Sequence, residues 1–325
     1  MLKILKVLVS LLVIALVGLA TVNQMGIRDI DEVALAEQEI GLILDSQLIA
    51  LDDSALHVVF AGPSDGEPVI LIHGFPQFWY TWRWHIKALA TAGYRVAAVD
   101  MRGYNRSPKP NGIAAYSYEN YAKDIVALMD HFAWAKANIV AHDIGGFVAW
   151  ELIFDNAQRV RKAVIFSTPH PLAIEKAVQQ SDVSWYRTFF RIPVLPELVN
   201  RLGGLALTAE SMRDTSNSDT FNDSHLAIYK SAWQRDDAMD TMLGAYRNNG
   251  LDISNMPDDG RPLMPVMYIN GEDDKFVPLA AAQANNIYLG EQNVIIVKQK
   301  THWVLEEAPE LTAAQILSFL DQPNQ

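Results

Sequence analysis

Short apolar runs alternate with longer mixed segments along most of this chain. Val69 to Ile72, Val96 to Val99, Ala137 to Val140, Ala163 to Phe166 and Pro265 to Asn270 are brief, mostly hydrophobic and bounded by turn residues, the pattern of buried strands. Strands separated by helical stretches predict a parallel sheet with helices on both faces. The alternation stops after Phe166 and resumes near Pro265. From about Pro169 to Arg261 the sequence is helical and loop-like, rich in Trp, Tyr, Met and Leu, with breaks at Pro193, Pro196 and Gly203-Gly204. This predicts an inserted helical cap over 169–261 and a core assembled from 26–168 and 262–325. The first residues form a separate object. Lys3 and Lys6 precede a run from Val7 to Ala20 whose only polar member is Ser10, which predicts a signal peptide or membrane anchor within residues 1–25. Gly18 and Ala20 suit cleavage, whereas Ile4, Leu5, Thr21 and Val22 extend the run toward the ~20 residues of a spanning helix. Either way, an exported (periplasmic or extracellular) or membrane-anchored location is expected.

Composition narrows the function classes. The chain has 325 residues, half of them hydrophobic, enough for one large α/β core and a cap. A formal net charge of -12 argues against a nucleic-acid partner. The absence of cysteine excludes disulfides, thiolate catalysis and Cys-ligated zinc. The eight histidines show no metal-ligand spacing. Gly145-Gly146 and Gly203-Gly204 lack the flanks of a phosphate loop, so neither metal nor cofactor is expected.

Candidate chemistry centres on Asp143. In Ala141-His142-Asp143-Ile144-Gly145-Gly146 an apolar strand meets a helix through a tight turn whose small residues allow close approach. A serine hydrolase would place its serine where Asp143 stands. A lone Asp before a helix is more often a cap, but the rest of a catalytic set follows in order. His73-Gly74-Phe75-Pro76 follows the first strand, Arg102-Gly103-Tyr104-Asn105-Arg106-Ser107 follows the second, and Gly271-Glu272-Asp273-Asp274 and Thr301-His302-Trp303 come later. Nucleophile, acid and histidine appear in the chain order of an α/β-hydrolase triad. From about residue 43 to 321 the sequence resembles the epoxide hydrolase and haloalkane dehalogenase branch of the α/β-hydrolase superfamily, although Thr301 stands where glycine is usual.

The resemblance implies an α/β-hydrolase fold and an epoxide hydrolase that converts a small-molecule epoxide and water to a vicinal diol. Asp143 would attack carbon and form an ester, and His302 would activate water against it. Asp274, at the fourth position of the Gly-x-x-Asp turn, would orient His302, with Asp273 as the alternative. An oxyanion then needs backbone donors, for which Ile144 and Phe75 are positioned. An epoxide oxygen leaves as an alkoxide and needs a proton donor, whereas a halide does not. Tyr186 in Trp185-Tyr186-Arg187 and Tyr246 in Ala245-Tyr246-Arg247 resemble the two cap tyrosines of epoxide hydrolases. Tyr229 reads as packing and His170 as structural. Ile144 in place of tryptophan and Phe75 in place of asparagine remove side-chain donors that dehalogenases use for halide. No arginine follows Ile144 to clamp a fluoroacetate-type carboxylate, and a serine esterase fails for want of its serine. Haloalkane dehalogenation and a non-catalytic exported binding protein remain the alternatives.

Overall fold

The computed structural model describes residues 29–178, 185–248 and 250–323; the leader expected within 1–25 lies outside them. Eight strands form one sheet: β1 (Asp45–Ala50), β2 (Ala55–Ala61), β3 (Pro68–Ile72), β4 (Arg95–Asp100), β5 (Ala137–His142), β6 (Val160–Phe166), β7 (Val266–Gly271) and β8 (Val294–Val297), in the order β1-β2-β4-β3-β5-β6-β7-β8. β1 pairs with β2, and β2 with β4, antiparallel; every later pairing is parallel. The parallel strands β3, β5 and β7 are buried nearly from end to end, because helices cover both faces and leave no polar side to alternate.

The helices are α1 (Glu32–Ile40), α2 (Arg83–Thr91), α3 (Tyr118–His131), α4 (Ile144–Asp155), α5 (Pro171–Val178), α6 (Trp185–Arg191), α7 (Leu195–Leu202), α8 (Ala206–Thr215), α9 (Asp223–Gln234), α10 (Ala238–Met242), α11 (Leu279–Ala284), α12 (Asn286–Leu289), α13 (Val304–Glu307) and α14 (Pro309–Leu320). Among the described residues, 167–265 contain helices and turns but no strand, and no described helix is long and apolar enough to cross a membrane.

Strand order creates the place for a site. β4 lies on one side of β3 and β5 on the other, so the loops leaving β3 and β5 diverge and open a crevice at their carboxyl ends. Phe75 and Asp143 sit on those two loops. The Arg102 to Ser107 motif secures the next loop. Arg102 clamps Asp124 at 2.5 and 2.6 Å, and the Ser107 hydroxyl donates to the Asp100 carbonyl at 2.6 Å while accepting from the His57 N–H at 2.8 Å.

Polar anchors join α9 to the segments that follow β8 and β3. The Tyr229 hydroxyl on α9 donates to Glu306 Oε1 at 2.8 Å, and Trp233 Nε1 donates to the Pro76 carbonyl at 2.6 Å. Glu306 also receives Arg83 Nη1 at 3.0 Å, and both side chains are at most 5% exposed. Removing one member of so buried a pair leaves the other charge without its counterion. Arg83→Met is therefore expected to destabilise the fold by about 3–5 kcal/mol, read as a lowered urea midpoint at unchanged slope. A loss under about 1 kcal/mol would place the pair in the weakly contributing surface class.

Candidate active site

The turn after β5 holds its central residue in an uncommon conformation. Asp143 has φ 51° and ψ -118°, and although it occupies the position before α4, its side chain makes no capping bond to that helix. The carboxylate turns instead toward the β3 loop, where Phe75 N–H donates to Oδ1 at 2.9 Å. The strained backbone is held from behind: the Asp143 carbonyl accepts from the Thr168 hydroxyl at 2.6 Å and from Gly146 N–H at 2.8 Å. Gly145 is obligatory for space, since a Cβ there would lie 2.5 Å from the Ile72 and His73 carbonyl oxygens.

His302 reaches the same point from the loop before α13. Its Nδ1–H donates to Asp274 Oδ2 at 2.9 Å, and its Nε2 lies 3.5 Å from Asp143 Oδ2. The other Asp274 oxygen accepts from Phe276 and Val277 N–H at 2.8 and 2.9 Å, fixing the carboxylate with no solvent exposure. Asp273 spends its N–H on the Lys300 carbonyl and is exposed, so adjacent positions in one turn face opposite ways. Asp143 remains 21% exposed, toward the cavity.

Electrostatics follow from this order. Burial opposes the His302 charge, but Asp274, and then Asp143, outweigh it and hold the imidazolium up to about 10. Burial likewise opposes ionisation of Asp143, and His302 with the Phe75 N–H outweighs it and holds the carboxyl down to about 2. Both shifts favour the charged forms, an imidazolium beside a carboxylate. Oδ1 carries the Phe75 backbone donor, and Oδ2 is the oxygen that faces His302. Ile144 begins α4, so its N–H is a first-turn donor at the same corner.

A cavity of about 600 Å³ opens onto Asp143 and His302 and is also lined by Tyr186, Tyr246, Phe75 and Phe276. The two tyrosine rings stand 6.4 Å apart at 83°, and Tyr246 packs edge-on to Phe75 at 5.3 Å. Tyr229 is elsewhere, buried against Glu306. His170 is buried and stacked on Tyr288 at 4.0 Å, and burial keeps it neutral down to about 4.

Several supporting residues escape sequence reading. Thr168 braces the elbow, His142 Nε2–H donates to the His302 carbonyl at 3.0 Å, and Glu307 accepts from Thr301 through both N–H and hydroxyl at 2.9 and 2.7 Å. Glu307 also accepts from Asn217 N–H at 2.8 Å. Thr301, the departure from glycine, thus ties the histidine turn to the loop after α8. Its signal was the pairing of a hydroxyl with a glutamate six residues on, which no short motif encodes.

The mostly parallel eight-stranded sheet, with Asp143, Asp274 and His302 gathered at the carboxyl ends of its strands, defines the class of protein. The chain belongs to the α/β-hydrolase fold family, whose profile matches residues 67–309. It is similar to the AB hydrolase superfamily protein YfhM of Bacillus subtilis, 32% identical over 84% of this chain and 97% of the relative. Epoxide hydrolase 2 of Caenorhabditis elegans is 26% identical over 85% of this chain and 80% of that protein. Among solved structures, a mutant epoxide hydrolase of Vigna radiata aligns with a TM-score of 0.75 at 25% identity, covering 85% of this chain and 98% of that one.

The asymmetry between the two neighbouring aspartates yields a prediction. Asp274→Asn should lower the His302 titration, because the largest influence raising it is removed, and should cut turnover by about 10³–10⁴-fold. Asp273→Asn should leave both nearly unchanged. NMR titration of the His302 ring in both variants, beside steady-state rates, checks this; equal effects would reject the assignment.

Proposed function

We propose that this protein is an epoxide hydrolase that converts a small-molecule epoxide and water to a vicinal diol through an ester on Asp143. The observation that carries the reading is that two phenols, Tyr186 and Tyr246, line the same cavity as Asp143 and His302. A leaving alkoxide needs such donors and a leaving halide does not. The names of the relatives point the same way. Halide release is poorly served: Ile144 and Phe75 bring no side-chain donor, and the indole N–H of the lining Trp303 is already given to Thr215 Oγ1 at 3.0 Å.

In the first step Asp143 Oδ2 attacks an epoxide carbon, the carbon–oxygen bond breaks, and a phenol protonates the leaving oxygen. The ester leaves Asp143 neutral. One of the two carboxylates that held His302 protonated is thereby lost, so its pKa falls and it releases the proton that restores the phenol. The base becomes available at the step that needs it. Neutral His302 then takes a proton from water, the hydroxide equivalent adds to the Asp143 carbonyl carbon, and the oxyanion develops on Oδ1, where Phe75 N–H already stands and Ile144 N–H is adjacent. Collapse breaks the bond from the Asp143 carbonyl carbon to the diol oxygen, the His302 imidazolium protonates that oxygen as it leaves, and the new Asp143 carboxyl returns its proton to His302, which regenerates the ion pair.

We read 169–261 as the lid of this site and residues 1–25 as an export signal or tether, on the apolar run behind Lys3 and Lys6. The reaction is tested by incubating purified protein with styrene oxide and, separately, a bromoalkane, following diol and bromide. Diol without bromide is expected; bromide alone would favour dehalogenation, and neither product would favour a binding protein. Replacing Tyr186 and Tyr246 together by Phe should slow ester formation by about 10²–10⁴-fold, measured by stopped flow. Parent-like ester formation in the double variant would remove both phenols from the reaction.

A further inference from the structure

The two phenols are not equivalent, and the difference lies in a residue behind the cavity wall. Arg187 Nε donates to the Tyr186 hydroxyl oxygen at 3.2 Å, and its guanidinium carbon stands 5.9 Å from the Tyr186 ring centroid. Arg187 does not line the cavity, and the groups that favour its charge are phenols, Tyr186 first and then Tyr246 and Tyr118. Among the described residues no cation donates a hydrogen bond to the Tyr246 hydroxyl, and beyond the effect of burial Asp143 and the phenols of Tyr186, Tyr104 and Tyr118 oppose its ionisation.

We infer that Arg187 is a positioning residue that makes Tyr186 the phenol which gives up its proton to the opening epoxide, while Tyr246 holds the oxygen by a hydrogen bond and keeps its own. The inference rests on the epoxide hydrolase reading above. A phenol has one donor and can accept through its lone pairs. With Arg187 N–H on the oxygen, the Tyr186 O–H is left to point away from the arginine, toward the reacting oxygen. A hydrogen bond from a cation is also about twice as strong as a neutral one, and it strengthens further once the oxygen is negative, which is the requirement for stabilising a transition state over a ground state. Burial raises the Tyr186 pKa and Arg187 works against that rise, both by its charge and by its hydrogen bond. In the balanced step, Asp143 Oδ2 bonds to carbon, the epoxide carbon–oxygen bond breaks, the Tyr186 proton moves to that oxygen, and the phenolate remains on Arg187 until the His302 proton returns to it.

The test separates ester formation from ester hydrolysis by stopped-flow fluorescence with styrene oxide. Arg187→Met should slow ester formation at least ~10-fold and leave ester hydrolysis within about two-fold, because only the first step needs the acid. Arg187→Lys, which keeps the charge but not the Nε donor, should recover part of the loss. In a Tyr186→Phe background Arg187→Met should cost nothing more, whereas with Tyr246→Phe the losses should multiply. Equal slowing of both steps, no recovery with lysine, or multiplied losses with Tyr186→Phe would show a structural role and overturn the inference. A parent protein that forms no diol would instead sink the epoxide hydrolase reading itself, so the two failures are distinguishable.

Discussion

One imidazole held between two carboxylates organises this molecule. His302 is 2.9 Å from Asp274 and 3.5 Å from Asp143, and the three residues leave different strands, so the spacing exists only if the whole parallel sheet is in register. Neither carboxylate alone explains the site. Asp274 is closed to solvent and satisfied by two backbone N–H groups, which makes it a fixed charge. Asp143 is open to the cavity and holds the charge that the proposed chemistry consumes. In the proposed chemistry the fixed partner orients the imidazole throughout, and loss of the consumable one's charge lowers its affinity for the proton.

Such a small gap demands rigid neighbours. Gly145 lets α4 approach β3, and Thr168 and Gly146 tie down the backbone of Asp143. On the histidine side, Glu306 and Glu307 lie one turn beyond His302 and bind opposite things: Glu306 takes Arg83 and Tyr229, Glu307 takes Thr301 and Asn217. The same short helix α13 therefore ties the histidine turn to α2, to α9 and to the loop after α8.

The sheet was readable where burial is complete. β3, β4, β5, β6 and β7 are apolar because helices cover both faces, and their order already separates Phe75 from Asp143 by one strand junction. β1 was not readable: it is an edge strand with Asp45, Ser46, Gln47 and Leu48 exposed, so neither alternation nor an apolar run marks it. β8 is an apolar run too short for periodicity to distinguish from helix. In the site, the strand–turn–helix motif pointed to Asp143 and the chain order to His302, because both depend on local turns. The choice between Asp273 and Asp274 needs the direction in which a turn presents its side chains. Arg187 was invisible for another reason. Residues i and i+1 do not face each other on a regular helix, so the bond between Arg187 and Tyr186 is not anticipated from their adjacency.

The central claim is that carbon is attacked by Asp143 and not by water, and it is tested most directly by trapping the product of that attack. His302→Gln removes the base for the second step and leaves the nucleophile in place. With styrene oxide, mass spectrometry of this variant should show one added substrate mass on the peptide carrying Asp143, and Asp143→Asn prepared alongside should show none. A parent enzyme given one turnover in heavy-oxygen water should release diol without label, because its new oxygen comes from the Asp143 carboxylate. Labelled diol on that first turnover, with no adduct in His302→Gln, would show that water attacks the epoxide directly and would contradict the account.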